Sequence, residues 1–64
     1  MEMVSIRTEE LLRLLKNAGI EKVREGGRHM LYYSPITGKT FAVGRHSKEV
    51  PTGTANKILK DAGL

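Results

Sequence analysis

Two apolar stripes with the spacing of a helix face stand near opposite ends of the chain, with strand-like stretches between them. Leu11, Leu14, Leu15 and Ala18 recur at i, i+3, i+4 and i+7, and Ala55, Ile58, Leu59 and Ala62 repeat that pattern. The first stripe predicts a helix from about Thr8 to Ala18. Thr8 is its expected N-cap, Glu9 and Glu10 suit the positive end of the helix dipole, and Gly19 suits the left-handed residue that ends it. Thr52 or Thr54 is expected to cap the second helix, which ends near Ala62-Gly63. The middle reads as three strands: Glu21 to Glu25 around Val23 and closed by Gly26-Gly27, Arg28 to Tyr33, and Thr40 to Gly44. Pro35 and Gly38 mark a turn over Ser34 to Lys39, and Arg45 to Pro51 reads as a polar loop.

The order α-β-β-β-α constrains the packing. A helix that is apolar on one stripe must bury it, and a three-stranded antiparallel sheet offers one face to both helices while the other stays exposed. The expected class is therefore α+β, in the two-layer arrangement that double-stranded-RNA-binding domains use, an analogy of fold that names no function. Pairing Tyr33 with Thr40 sets the hairpin register. Met30, Tyr32, Phe41 and Val43 then form the core face, and His29, Leu31, Tyr33, Thr40 and Ala42 the other. His29 points away from the helices, opposite Gly44, where the missing side chain leaves room. Arg28 faces Arg45, and His46 follows just past the strand end.

A chain of 64 residues reads as one domain over 1–64, and a domain of about 60 residues buries only roughly 60% of its unfolded surface. Cysteine is absent, so no disulfide or thiolate zinc site compensates, and a partner protein becomes a reasonable expectation. No apolar run approaches the roughly 20 residues of a membrane span, and no signal-peptide core follows Met1, so a soluble, cytoplasmic protein is expected. The net charge of +4 fits either a solvated surface or a polyanionic partner such as nucleic acid. Much of the positive excess lies between Lys22 and Lys48, around both histidines, whereas Glu2, Glu9 and Glu10 lie toward the N-terminus. That placement favours a local phosphate-binding surface.

The chemistry-bearing inventory is short. No Ser-His-Asp order stands out, there is no glycine loop of phosphate-cradling length, and His46 with Glu49 is the sole close histidine–carboxylate pair, so neither a cofactor nor a metal is expected. What remains is His29 and His46 among Arg24, Arg28, Lys39, Arg45 and Lys48. A metal-free ribonuclease needs little more. One group takes the proton of the ribose 2′-hydroxyl, another protonates the leaving 5′-oxygen, and cations hold the phosphate. Histidine, with an ordinary pKa of about 6.5, suits the proton transfers, and Arg and Lys suit the phosphate. Taken singly, a strand histidine is more often structural or simply exposed, and basic residues are more often a solvated face. Tyr32 and Tyr33 are candidates for stacking on bases, Tyr32 being the better core residue.

Gly27-Arg28-His29, Gly44-Arg45-His46 and the tail from Val50 through Pro51-Thr-Gly-Thr to the Ile58-Leu-Lys-Asp-Ala-Gly-Leu64 ending resemble the HicA (YcfA-like) toxin family. The likeness runs from about Glu9 to Leu64, and its closing segment is the most specific part. It implies a double-stranded-RNA-binding-like fold and a small endoribonuclease that cleaves mRNA, arrests growth and is blocked by a HicB-type antitoxin. The family's catalytic histidine falls on His29, and its second histidine on His46, assigned to RNA contact. Arg28 stands where the family usually has Ser, keeping a phosphate-binding group beside the histidine, and Gly44 stands where it usually has Pro, loosening the strand exit toward His46. The second proton-transfer group stays open among His46, a lysine and water. Two other readings remain: a non-catalytic RNA-binding module of the same fold, and an interaction protein whose basic surface meets only an acidic partner.

Overall fold

The computed structural model describes residues 5–64; Glu2 lies outside them. The elements are β1 (Ser5–Arg7), α1 (Thr8–Asn17), β2 (Glu21–Glu25), β3 (His29–Ser34), β4 (Lys39–Gly44), β5 (Glu49–Pro51) and α2 (Thr52–Ala62). Strands β2, β3 and β4 form an antiparallel sheet in that order, and β1 pairs antiparallel with β5. The helix–three strands–helix order is as expected, with the two-stranded ladder added to it. The segment read as a polar loop thus contains β5. Its one apolar residue, Val50, pairs with Ile6 of β1 and is buried. Strands of three residues carry too little alternation to read as strands.

Both helices contribute to one core. Leu11, Leu15, Ala55, Ile58 and Ala62 cluster with Met30, Tyr32, Phe41 and Val43, and the Tyr32 and Phe41 rings stack with centroids 6.1 Å apart. The buried face of α1 is rotated from the expected one. Leu14 is 39% exposed, while Leu12 packs against the core and Thr8 is buried. At about 100° per residue, Thr8 and Leu12 flank the Leu11–Leu15 line on one side and Leu14 on the other. The ladder approaches the first side.

The helix starts also differ from expectation. The N-cap of α1 is Arg7, and Thr8 is the first helical residue. Because β1 pairs with β5 up to Arg7↔Glu49, the chain enters α1 from an extended residue, and the Thr8 N–H donates to the Lys48 carbonyl at 2.9 Å. The Thr8 hydroxyl is buried without a hydrogen-bond partner among the described residues. Pro51, the last residue of β5, occupies the N-cap of α2, so Thr52 and Thr54 lie inside the helix. The helix ends match. Gly19 (φ 80°) and Gly63 (φ 86°) take the left-handed conformation, and Ile20 N–H to Leu15 O and Leu64 N–H to Leu59 O close the same terminal loop.

The hairpin register is the expected one, from His29↔Gly44 to Ser34↔Lys39. Its turn also braces α2. The Ser34 hydroxyl, fully buried, donates to Ala62 O at 2.6 Å and accepts from Ile36 N–H, and the Thr37 hydroxyl donates to Asp61 O. In β2 the pairing runs Glu21↔Tyr33 and Lys22↔Tyr32, then resumes at Arg24↔Leu31 and Glu25↔Met30. Val23, 60% exposed, is the extra residue of a bulge. No helix among the described residues is long and apolar enough to cross a membrane.

Candidate nucleic-acid interface

The bulge decides what surrounds His29. An unbroken register continuing from Lys22↔Tyr32 would place Arg24 opposite Met30, on the core face. The extra residue sets it opposite Leu31 instead, on the outer face that also carries His29. Arg24, Gly26, Gly27, Arg28, His29 and Leu31 line one groove of about 340 Å³. Neither the Arg24 nor the Arg28 side chain has an ion-pair or hydrogen-bond partner among the described residues, so both guanidiniums are available to an anion.

The β2–β3 turn holds His29 in place. Gly26 N–H donates to His29 O at 2.8 Å, and a side chain at Gly26 would put Cβ 3.1 Å from that same oxygen. Arg45 grips the turn from the other strand. Its backbone N–H donates to Arg28 O at 2.8 Å, its Nη1 donates to Gly26 O at 3.1 Å, and its Nε lies 3.8 Å from Glu25 Oε1. Lys22 Nζ approaches the same carboxylate oxygen at 3.2 Å. The hydrogen bond from Lys22 and the charge of Arg45 hold the Glu25 carboxyl below its ordinary pKa. Arg45 is thus a brace of the turn that presents Arg28 and His29.

On its other side His29 lines a second groove, of about 280 Å³, with Ala42, Gly44, Ser47, Glu49 and Thr54 among its walls. Ser47 takes the space that Gly44 leaves: a Cβ at Gly44 would stand 3.0 Å from Ser47 Oγ. Ser47 was not singled out from the sequence, Thr54 was named only as a helix cap, and Glu49 was noted only beside His46. No local motif links them to His29, and it is the β1–β5 ladder that carries Glu49 and the start of α2 to the sheet's outer edge.

The remaining sequence-predicted residues lie elsewhere. His46 and Lys48 line a groove of about 570 Å³ against the start of α1, together with Arg7, Glu9, Leu12 and the flank of Arg45. Lys39 stands at the far end of the hairpin, five residues along β4 from Gly44, or about 17 Å at strand rise. Its ammonium is 3.9 Å from Asp61 Oδ1. Thus Arg24, Arg28 and His29 come together, Arg45 supports them, His46 and Lys48 form a separate basic groove, and Lys39 is remote. Imidazole, guanidinium, hydroxyl and carboxylate groups around one exposed edge can hold a phosphate and move protons beside it. Among the described residues no three His, Asp or Glu side chains converge as a metal-binding group.

Comparison with known families gives one match, to the model described as HicA toxin of bacterial toxin-antitoxin, over residues 8–64. No significant match was found among curated proteins or among solved structures. The matched span takes in both helices, the whole three-stranded sheet and both grooves that His29 lines. On that extent of agreement, the chain belongs to the HicA family of toxins from bacterial toxin–antitoxin systems.

Proposed function

We propose that this toxin is a metal-independent endoribonuclease that cleaves mRNA in the cytoplasm through His29, and that a HicB-type antitoxin inhibits it. The observation that carries the reading is the shared groove of His29, Arg24 and Arg28, an exposed imidazole beside two guanidiniums that have no partner among the described residues. The guanidiniums bind the scissile phosphate and offset the charge that builds on it as the 2′-oxygen attacks. One group removes the 2′-hydroxyl proton, the P–O5′ bond breaks, and a second group protonates the departing 5′-oxygen, leaving a 2′,3′-cyclic phosphate. The groove on the other side of His29 contains Glu49 as its carboxylate. We assign Glu49 to taking the 2′-hydroxyl proton and His29 to protonating the 5′-oxygen, with His46 and Lys48 contacting RNA in their own groove.

Purified protein incubated with mRNA in EDTA is expected to cut it, and His29→Ala to lose cutting while its circular dichroism stays native. Equal cleavage by the two proteins overturns the catalytic role of His29, and tight RNA binding with no cleavage by either supports a binding module instead. Glu49→Gln should lose the acidic limb of the pH–rate profile, because an amide has no proton equilibrium in that range. An unchanged acidic limb removes Glu49 from the mechanism.

A further inference from the structure

The outer face of the sheet carries a tyrosine that the cleavage chemistry does not use. Tyr32 and Tyr33 are neighbours with opposite fates: Tyr32 stacks on Phe41 in the core, while Tyr33 is 42% exposed on the face that bears His29. His29, Leu31 and Tyr33 occupy successive rows of that face, about 6.8 Å apart at strand rise. An extended nucleotide chain can match such a spacing step for step.

The rows differ in chemistry. Arg28 adjoins His29 at the first row, and Arg24 lies beside Leu31 and Ala42 at the second. At the third row Tyr33 is flanked by Thr40 and Glu21, and Lys39 just beyond it is turned to Asp61. Phosphate is therefore favoured at the His29 end. At the Tyr33 end the carboxylate of Glu21 disfavours a phosphate, while the ring offers its surface to a neutral base. We propose that β3 is a track for single-stranded RNA, in which Tyr33 stacks the second base along from the phosphate held at His29. This rests on the reading of His29 as the cleavage site and adds a requirement on substrate length and strandedness. Double-stranded RNA, with its bases already stacked on one another, cannot use Tyr33 in this way.

The test is equilibrium binding of uncleavable 2′-O-methyl oligonucleotides to the full chain. For a hexanucleotide, Tyr33→Ala is expected to weaken binding by roughly 5- to 150-fold, the range that loss of one base–aromatic stack produces. Tyr33→Phe should bind like wild type and Tyr33→Leu like the alanine variant, and a dinucleotide, too short to reach the ring, should bind all four proteins alike. Wild-type affinity of Tyr33→Ala for the hexanucleotide, or an equal loss in Tyr33→Phe, overturns the proposal. So does a Tyr33→Ala protein that keeps RNA binding and loses only antitoxin binding, since the face would then serve a protein. Because these oligonucleotides are not cut, the result is independent of catalysis. Should His29→Ala still cleave mRNA while the Tyr33 pattern holds, the catalytic assignment falls and the track stands.

Discussion

Glycines at the two helix ends do the same backbone work in different surroundings. Gly19 has nothing within 4 Å of a built Cβ, whereas a Cβ at Gly63 would come within 2.6 Å of Ile36 Cγ2. Gly19→Ala is expected to cost about 1–2 kcal/mol, the left-handed penalty alone. Gly63→Ala should cost more, because Ile36 and Thr37 must shift as well. Paired urea titrations would check the order, and equal losses would contradict it. Ser34→Ala removes the donor to Ala62 O and the acceptor for Ile36 N–H, and leaving the buried carbonyl and the part-buried N–H unpaired is expected to cost about 1–3 kcal/mol in the same measurement. The glycine at position 19 was legible because a helical pattern stops there. The role of Ser34 was not, since its partner lies 28 residues away.

Among the elements, β2 shows how one residue redirects a site. Its bounds, Glu21–Glu25, are those expected from sequence, but the bulge at Val23 is not written in any residue type there. Deleting Val23 should close the bulge and keep Arg24 opposite Leu31, on the outer face, because Arg24 then follows directly on Lys22↔Tyr32. RNA affinity is expected to stay near wild type and well above that of Arg24→Ala. A deletion variant of native circular dichroism that loses as much RNA affinity as Arg24→Ala would contradict this account of the bulge. The same strand carries charges along a fully exposed edge, and together with the bulge they discourage pairing with another chain. The hairpin of β3 and β4 was legible to the residue because its turn chemistry and its apolar alternation agree on one register. The β1–β5 ladder was not, because each strand offers a single apolar position.

At the scale of the molecule, charge is distributed in patches with different roles. Glu25 joins Lys22 of β2 to Arg45 beyond β4, and its lowered pKa gives a sign for acid behaviour. A carboxyl with a depressed folded-state pKa contributes stability that is present above its unfolded value and is lost as pH falls through the folded value. Acidification through and below the ordinary glutamate range should therefore loosen the β2–β3 turn, with amide protection factors at Gly26 and Arg45 falling. Glu25→Gln should abolish that dependence, and an identical acid profile in the variant would remove Glu25 from the turn's support. Salt dependence separates the basic residues in the same way. Arg24→Ala or Arg28→Ala is expected to lower the log–log salt slope for single-stranded RNA by about 0.7 each. Lys39→Ala, with its ammonium turned to Asp61 at the far end of the hairpin, should leave the slope for a short oligonucleotide unchanged.

From sequence alone came the order helix–three strands–helix, the hairpin register, the outward direction of His29 and the family resemblance, because helix period, strand alternation and turn residues are local signals. Tertiary structure alone decided which charges share a surface with that histidine. Arg24 reaches it through a bulge, Arg45 became a brace through contact with Glu25 and Gly26 O, and His46 went to a separate groove against α1. Ser47, Glu49 and Thr54 joined His29 because a ladder between distant short strands fixes where the β4–β5 loop and α2 lie. Local patterns specify the direction of a side chain within its own element, but its neighbours across elements follow from pairings whose determinants are spread over the whole chain.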